Sequence, residues 1–231
     1  MRRKSDKSKI REGYGTGTHE KYKPFVRVSE FSSQGTCSNP IDWKTGRTVH
    51  LLSQGEKQLW YILRFMDEVD DIREQYPLDL TDTLELAKSL GITHPYNQDG
   101  PSIMTTDLFV DMKNGQQIAL SVKDNRDDVN SNPRTIEKLY LEQQYWKEKG
   151  ITWKLIYKED LNEVYAKNIE DVSYYFSYEY VCDDISFIKY LIANKCIMID
   201  MQSELLDFKE LANYFISDKT IKELEESIKN D

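Results

Sequence analysis

The sequence predicts an α/β fold, a mixed central sheet flanked by helices, and three observations carry that expectation. Hydrophobic spacing switches repeatedly between helical and alternating periods. Two extended runs at the centre of the chain are separated by Lys113-Asn114-Gly115, a hairpin turn. A long helical stretch and then another extended run, Thr152 to Tyr157, follow that hairpin. Helix, antiparallel strands, helix and strand in this order give an α/β sandwich with a mixed central sheet.

The elements are justified in turn. Residues 1 to about 20 are polar, with Gly13, Gly15 and Gly17 alternating, and read as a flexible arm. This glycine pattern is no phosphate-binding fingerprint, since no strand precedes it and no Gly-Lys-Ser follows. Phe25 to Phe31 alternates as a strand, Lys44 to Arg47 forms a turn, and Thr48 to Leu52 returns as a second strand. Ser53 opens a helix whose Leu59, Ile62, Leu63 and Met66 recur at core-facing spacing. Val69 to Tyr76 is a strand ended by Pro77. Thr81 caps a short helix with Leu84 and Ala87 inward, closed by Gly91. Thr105 to Met112 and Gln117 to Lys123 are the hairpin strands, and Asp124 to Ser131 is a polar loop. Asn132-Pro133 starts a long helix with proline in the first position, running to about Lys149 and stopping at Gly150. Asn162 to Tyr175 is helical. Beyond about Phe176 the expectation is a helix over Ile185 to Ala193, a short strand over Cys196 to Met201, a helix over Phe208 to Phe215 and a charged end. The domain reading is an arm over 1–20, a catalytic domain over 21–176 and a small, mostly helical partner-binding appendage over 177–231. A shortened winged helix is one form that appendage could take.

Composition narrows the class. No run approaches the roughly 18 uncharged apolar residues of a membrane helix, and the apolar stretch Phe187 to Ile199 is broken by Lys189 and Lys195. Met-Arg-Arg-Lys at the N-terminus is followed by no apolar run, so it is not a secretory signal. Cys37, Cys182 and Cys196 are odd in number and form no zinc pattern, which suits a reduced cytoplasm. The net charge is −9, unevenly distributed. Residues 1–27 hold nine Lys or Arg against three acids, 9 − 3 = +6, leaving −9 − 6 = −15 for the rest. Arg2, Arg3, Lys4 and Arg11 in this basic segment are candidate phosphate contacts, or a solvated tail. The acidic body predicts weak DNA binding by the isolated chain.

The hairpin carries the chemistry. Metal-assisted phosphodiester cleavage needs one or two carboxylates and a lysine on rigid neighbouring elements. Asp107 lies in the first strand and Lys123 ends the second, where a lysine is conspicuous after an apolar run. Register decides whether they meet. A two-residue Asn114-Gly115 turn would oppose Asp107 to Val122 and send Lys123 away. A three-residue loop with Gly115 left-handed opposes Asp107 to Ser121 and sets Lys123 diagonally beside Asp107, and this second register is the expectation. Taken singly, both residues also suit a solvent-facing strand position and a strand-end gatekeeper. Glu56 is the third candidate. Ser53-Gln54-Gly55-Glu56 fits a capping box in which Glu56 reaches the Ser53 amide, and a glutamate there could also meet a metal at the sheet edge.

Several collinear blocks resemble TnsA-type endonuclease subunits of heteromeric cut-and-paste transposons, which have restriction-endonuclease-like cores. They are Lys44-Thr45-Gly46-Arg47 with Val49 to Ser53, Asp71 to Leu78, His94-Pro95, Met104 to Asp107, and Arg134 to Leu139 through Tyr145-Trp146. The likeness extends from about Arg11 to Val172. It implies a magnesium-dependent endodeoxyribonuclease, manganese substituting, that cuts the 5′ ends of the element. Glu56, Asp107 and Lys123 match the family's catalytic positions, with Glu56, Asp107 and the Val122 carbonyl as metal ligands. The family's Gln-x-Lys motif falls on Ser121 to Lys123, so Ser121 departs from it and leaves one outer ligand in doubt. The implied partners are transposon-end DNA, an integrase-like TnsB-type transposase and a TnsC-type ATPase regulator. A stand-alone restriction or defence nuclease and an inactive adaptor subunit are the competing readings. His50, Arg73, Glu74, Tyr145 and Trp146 are read as structural.

Overall fold

The computed structural model describes residues 4–30, 37–97, 100–215, 223 and 226–228. The chain divides into two compact units, Met1–Leu161 and Asn162–Asp231. No helix among the described residues is long and apolar enough to cross a membrane.

The first unit contains α1 (Asp6–Arg11), α2 (Gln54–Phe65), β1 (Val69–Pro77), α3 (Leu80–Leu90), β2 (Tyr96–Asn97), β3 (Gly100–Pro101), β4 (Thr105–Met112), β5 (Gln117–Lys123), α4 (Arg126–Asn130), α5 (Pro133–Glu148) and β6 (Thr152–Tyr157). The main sheet has strand order β1-β4-β5-β6. Its first two pairings are antiparallel and β5–β6 is parallel, so the sheet is mixed, as the element order predicts. One face is covered by α3 and α5, whose Leu86, Ala87, Leu141, Tyr145 and Trp146 form a core with Phe109 and Ala119 of the hairpin. Leu108, Leu120 and Val122 are buried on the alternate positions, and α2 packs on that side.

The hairpin has the expected register. Asp111 opposes Gln117 and Leu108 opposes Leu120, the frame in which Asp107 and Ser121 stand next along their strands. The Gly115 amide closes the turn on the Met112 carbonyl at 2.8 Å. Gly115 takes φ 84°, a conformation open to glycine at little cost.

Several local expectations are corrected. Residues 4–23 are folded onto the unit instead of forming a flexible arm. The Lys9 side chain is fully buried and pairs with Glu30 at 2.5 Å, Asp6 accepts the Ile103 amide, and Asp71 accepts the His19 amide at 2.8 Å. These partners are far away in sequence, so local polarity could not reveal them. Val28–Glu30 is a 3-10 turn in place of the strand expected over Phe25 to Phe31; Phe31 lies outside the described residues. Thr48 and Leu51 make only isolated bridges, to Ile41 and Ser38. Asp79, not Thr81, caps α3 by accepting the Asp82 amide. Met66 is exposed, because α2 ends one residue earlier. The expected polar loop after β5 contains α4, capped by Asn125.

The second unit holds α6 (Glu163–Ser173), α7 (Asp184–Ala193) and α8 (Phe208–Phe215). Residues 196–201 are irregular, so the strand expected there, and with it the sheet part of a winged helix, is missing from the described residues. Asn168 ties down the segment that follows. Its amide donates to the Met201 and Glu204 carbonyls, and its side-chain oxygen accepts the Leu206 amide. The end of the chain expected as a charged helix or tail falls mostly outside the described residues.

The buried Lys9–Glu30 pair gives a test of the docked N-terminal segment. Removing one partner of a buried pair costs about 3–5 kcal/mol. Lys9→Ala should therefore lower stability by about that amount in urea unfolding, while exposed Lys7→Ala should stay within about 0.5 kcal/mol. A flexible arm would leave both variants unchanged.

Candidate active site

The site lies where the hairpin ladder opens. Beyond the Leu108–Leu120 pair, the Asp107 carboxylate takes over a backbone bond: its Oδ2 accepts the Val122 amide at 2.7 Å. Lys123 Nζ stands 3.9 Å from the same oxygen, and the two side chains keep 35% and 18% exposure. Both therefore remain accessible from solvent, and among the described residues Asp107 Oδ1 accepts no hydrogen bond.

Glu56 enters from α2. The Ser53 side chain caps that helix by accepting the Glu56 amide at 3.1 Å. The reciprocal half of the expected box differs. Glu56 Oε2 accepts the Leu52 amide at 2.9 Å, and Oε1 accepts the Ser53 hydroxyl at 3.1 Å. Burial, and then the charge of Asp107, push the Glu56 carboxyl up to about 8, while Lys123 pulls the other way. Glu56 thus feels both hairpin residues and prefers its proton in the absence of a cation.

Two residues that sequence reasoning missed complete the arrangement. Gln75, on β1, has φ 50°. It lies between the Glu74–Leu108 and Tyr76–Thr106 pairs, hence opposite Asp107. The left-handed residue reverses the alternation of the strand. Glu74 faces the α2 side, accepting from Arg47 and from the His50 amide. Gln75 also turns to that side, its Nε2 donating to Glu56 Oε2 at 3.2 Å. Tyr76 then faces the α5 side, stacked on Phe109. The Gln75 carbonyl oxygen accepts from Thr105 Oγ1 at 3.2 Å, so one side chain ties α2 to the start of β4.

Glu142, on α5, is the other. It is buried and accepts two hydroxyls on Oε1, from Thr106 at 2.6 Å and from Ser121 at 2.7 Å. Trp146 Nε1 donates to Thr106 Oγ1 at 2.7 Å, and Trp153 Nε1 donates to Ser121 Oγ at 3.0 Å. The Ser121 hydroxyl is therefore engaged on both sides by protein. Burial and the Asp107 charge push Glu142 up to about 7. Its signal in the sequence was a glutamate between Leu141 and the Tyr145-Trp146 pair on the apolar stripe of a helix, an expensive place for a charge.

The residues read as structural behave so. His50 Nδ1 lies 2.7 Å from Asn39 Nδ2, and burial with the nearby Arg27 and Arg47 charges holds the imidazole down at about 4, neutral. Arg73 pairs with Asp111 and lies over Tyr76 and Phe109. Of the basic candidates, Lys4 pairs with Glu12, Arg11 is exposed at the end of α1, and Arg2 and Arg3 fall outside the described residues.

Among the described residues no group of three or more His, Cys, Asp or Glu side chains converges to hold a metal ion. The donor set at this site is two hard carboxylates, Glu56 and Asp107. That fits magnesium or manganese, which take one or two carboxylates and fill the remaining positions with water and phosphate oxygens.

Fold and site together define a mixed-sheet α/β domain that gathers two acids and a lysine at the splayed end of a hairpin. The chain carries a segment, residues 66–158, that matches the TnsA-like endonuclease N-terminal domain. It is 39% identical over 164 residues to the Tn7 transposition protein TnsA of Escherichia coli, an alignment that covers 70% of this chain and 59% of the relative. The chain thus spans about three fifths of the length of that curated protein.

The two raised carboxyls set a pH dependence. A carboxyl whose folded pKa exceeds its unfolded value makes the native state bind more protons, so stability falls as pH rises between the two values. Stability of the metal-free chain should decline from about pH 4.5 up to about 7 through Glu142 and about 8 through Glu56. Glu142→Gln keeps an oxygen to accept from Thr106 and Ser121. It should flatten the part of the decline below about pH 7, read as Tm against pH. An unchanged slope would show that Glu142 is not the titrating group.

Proposed function

We propose that this chain is the divalent-metal-dependent DNA endonuclease subunit of a heteromeric transposase, cutting the 5′ ends of the element during cut-and-paste transposition. The observation that carries the reading is the meeting of Asp107 and Lys123, 3.9 Å apart at an opened ladder end, with Glu56 electrostatically coupled to both. The likeness to a transposition protein supports the transposon setting.

Glu56, Asp107 and the Val122 backbone carbonyl would hold magnesium, with manganese able to replace it. When bound, that ion polarises the scissile phosphate and makes a coordinated water acidic enough to attack. Asp107 holds the ladder end open through the Val122 amide and keeps Oδ1 for a ligand. Glu56 is oriented by Leu52, Ser53 and Gln75, and its Oε1, with one bond made, retains a lone pair. Lys123 holds the attacking water and offsets the negative charge that grows on the phosphate. Ser121 stands behind this group, fixed by Trp153 and Glu142, and orients the strand instead of reaching an ion.

The remaining assignments follow from this reading. The substrate is transposon-end DNA, and the basic segment with Lys4 and Arg11 contributes phosphate contacts. An integrase-like TnsB-type subunit makes the 3′ cuts, and a TnsC-type ATPase regulator licenses the complex. Residues 177–231, within the second unit, are the partner-binding part. The chain works in the cytoplasm, with its three cysteines reduced.

The test uses the full chain with its partner transposase, magnesium or manganese, and a transposon-end duplex. Lys123→Ala and Asp107→Asn should each reduce 5′-end cleavage by about 100-fold or more, while the partner's 3′ cuts continue. Persistent 5′ cleavage by Lys123→Ala would refute the assignment. An unmodified chain that assembles with its partners but never cuts would make it an adaptor.

A further inference from the structure

Gly55 is an unexpected residue for its place. It is the second residue of α2, between the capping Ser53 and Glu56, and glycine weakens a helix relative to alanine. Its φ lies outside the left-handed region, so the backbone does not call for glycine. What the site excludes is a side chain. A Cβ on residue 55 would lie 2.8 Å from Val122 Cγ1 and 3.2 Å from Lys158 Cβ. The first distance is shorter than real Cβ contacts, and the atom it meets cannot easily retreat. Val122 is β-branched, on a strand and buried, and such side chains have little χ1 freedom. The start of α2 therefore rests directly on the end of β5. The contact lies one residue before Glu56 on one side and one residue before Lys123 on the other.

We infer that Gly55 is a positioning residue: its missing side chain sets how closely α2 approaches β5, and so holds Glu56 against Asp107 and Lys123. The inference rests on the nuclease reading for its consequence, but on packing alone for its cause. A methyl group at position 55 requires the helix start or the strand end to move by several tenths of an ångström before an ordinary contact is restored. Catalytic constellations tolerate only about 0.5 Å of error, and a misplacement of about 1 Å can cost on the order of 100-fold in rate. Once Val122 Cγ1 is gone, the same methyl meets only the 3.2 Å contact with Lys158 Cβ, which a shift of a few tenths of an ångström relieves.

The experiment compares the full-length chain with Gly55→Ala, Val122→Ala and the double variant. Three quantities are read: metal-free Tm, the Mn²⁺ concentration for half-saturation, and 5′-end cleavage with the partner transposase. Gly55→Ala should raise the half-saturating Mn²⁺ about 10-fold and slow cleavage by about 10- to 100-fold. Added to Val122→Ala, it should change either by less than about threefold and lower Tm by less than it does alone, the 3.2 Å approach to Lys158 Cβ being the only close contact left. A merely structural role would lower Tm without a Val122-dependent change in Mn²⁺ affinity. The inference is overturned if Gly55→Ala matches the unmodified chain, or if it impairs the Val122→Ala background equally. If Gly55→Ala does not fold, the comparison of Val122→Ala with the double variant decides. If the unmodified chain neither binds Mn²⁺ nor cuts, the nuclease reading falls. The Tm comparison then still upholds or rejects the packing claim.

Discussion

Asp107 stands two residues from Phe109, which packs against α5, so it can meet Glu56 of α2 only if the strand stops alternating there. A regular strand sends successive side chains to opposite faces, which would keep the α2 layer and the α5 layer apart. Here the alternation breaks on two adjacent strands at the same level. On β1, Gln75 takes a left-handed φ and turns with Glu74 toward α2, leaving Tyr76 for the α5 core. On β4, Thr106 bonds to Glu142 of α5 while Phe109, an odd number of residues on, packs in the same core. The phase must therefore change around Asp107. A left-handed non-glycine residue costs on the order of 1–3 kcal/mol. The Gln75 amide helps offset this by bonding at both ends, to Glu56 and to Thr105.

That convergence has an electrostatic consequence. Asp107 lies near two buried glutamates, one in each flanking layer, and both feel its charge. Lys123 opposes them with one charge, itself a third exposed. Desolvation dominates both shifts, so the metal-free site relieves the imbalance by holding protons. A divalent cation would relieve it differently, and this makes metal affinity and proton release two sides of one equilibrium. The aromatic donors matter here too. Trp146 and Trp153 direct their N–H groups at the two hydroxyls that serve Glu142, so the buried acid belongs to a network whose donors are fixed by packing.

What could be read in the sequence was the part governed by short-range rules. Gly115, the Asn-Gly turn and the flanking apolar runs determine the hairpin register, and with it the Asp107–Lys123 pair. Ser53 announces α2 and Asn132-Pro133 announces α5 for the same local reason. The resemblance supplied Glu56, where helix logic had found a cap; the structure makes it both a capping partner and a group facing Asp107. The features that escaped depend on distant partners. Lys9 looks like one more basic residue until Glu30 folds over it. Gln75 reads as an ordinary strand polar residue, because its left-handed φ and its bonds to Glu56 and Thr105 leave no local signal. In place of the strand expected over Cys196 to Met201, the Cys196 and Ile197 amides turn back to the Leu191 carbonyl of α7 and the Met201 carbonyl accepts from Asn168.

Ser121 and Glu142 are best understood together. A glutamine before the lysine, as in the pattern this chain resembles, would extend from β5 towards the space that Glu142 occupies. A serine is short enough to leave that space to the acid from α5, and it bonds to the acid at 2.7 Å. The departure at position 121 therefore does not leave a gap in the site. The buried acid behind the sheet is Glu142, which Ser121 bonds directly and which feels the charge of Asp107. The pair also sets a demand on α5. The helix must hold Glu142 within hydrogen-bond range of two strands at once, and Trp146, one turn later, fixes its depth by bonding to Thr106. On this view the chemistry at the hairpin end is tuned from behind by α5 and positioned from the front by α2, with β4 and β5 clamped between them.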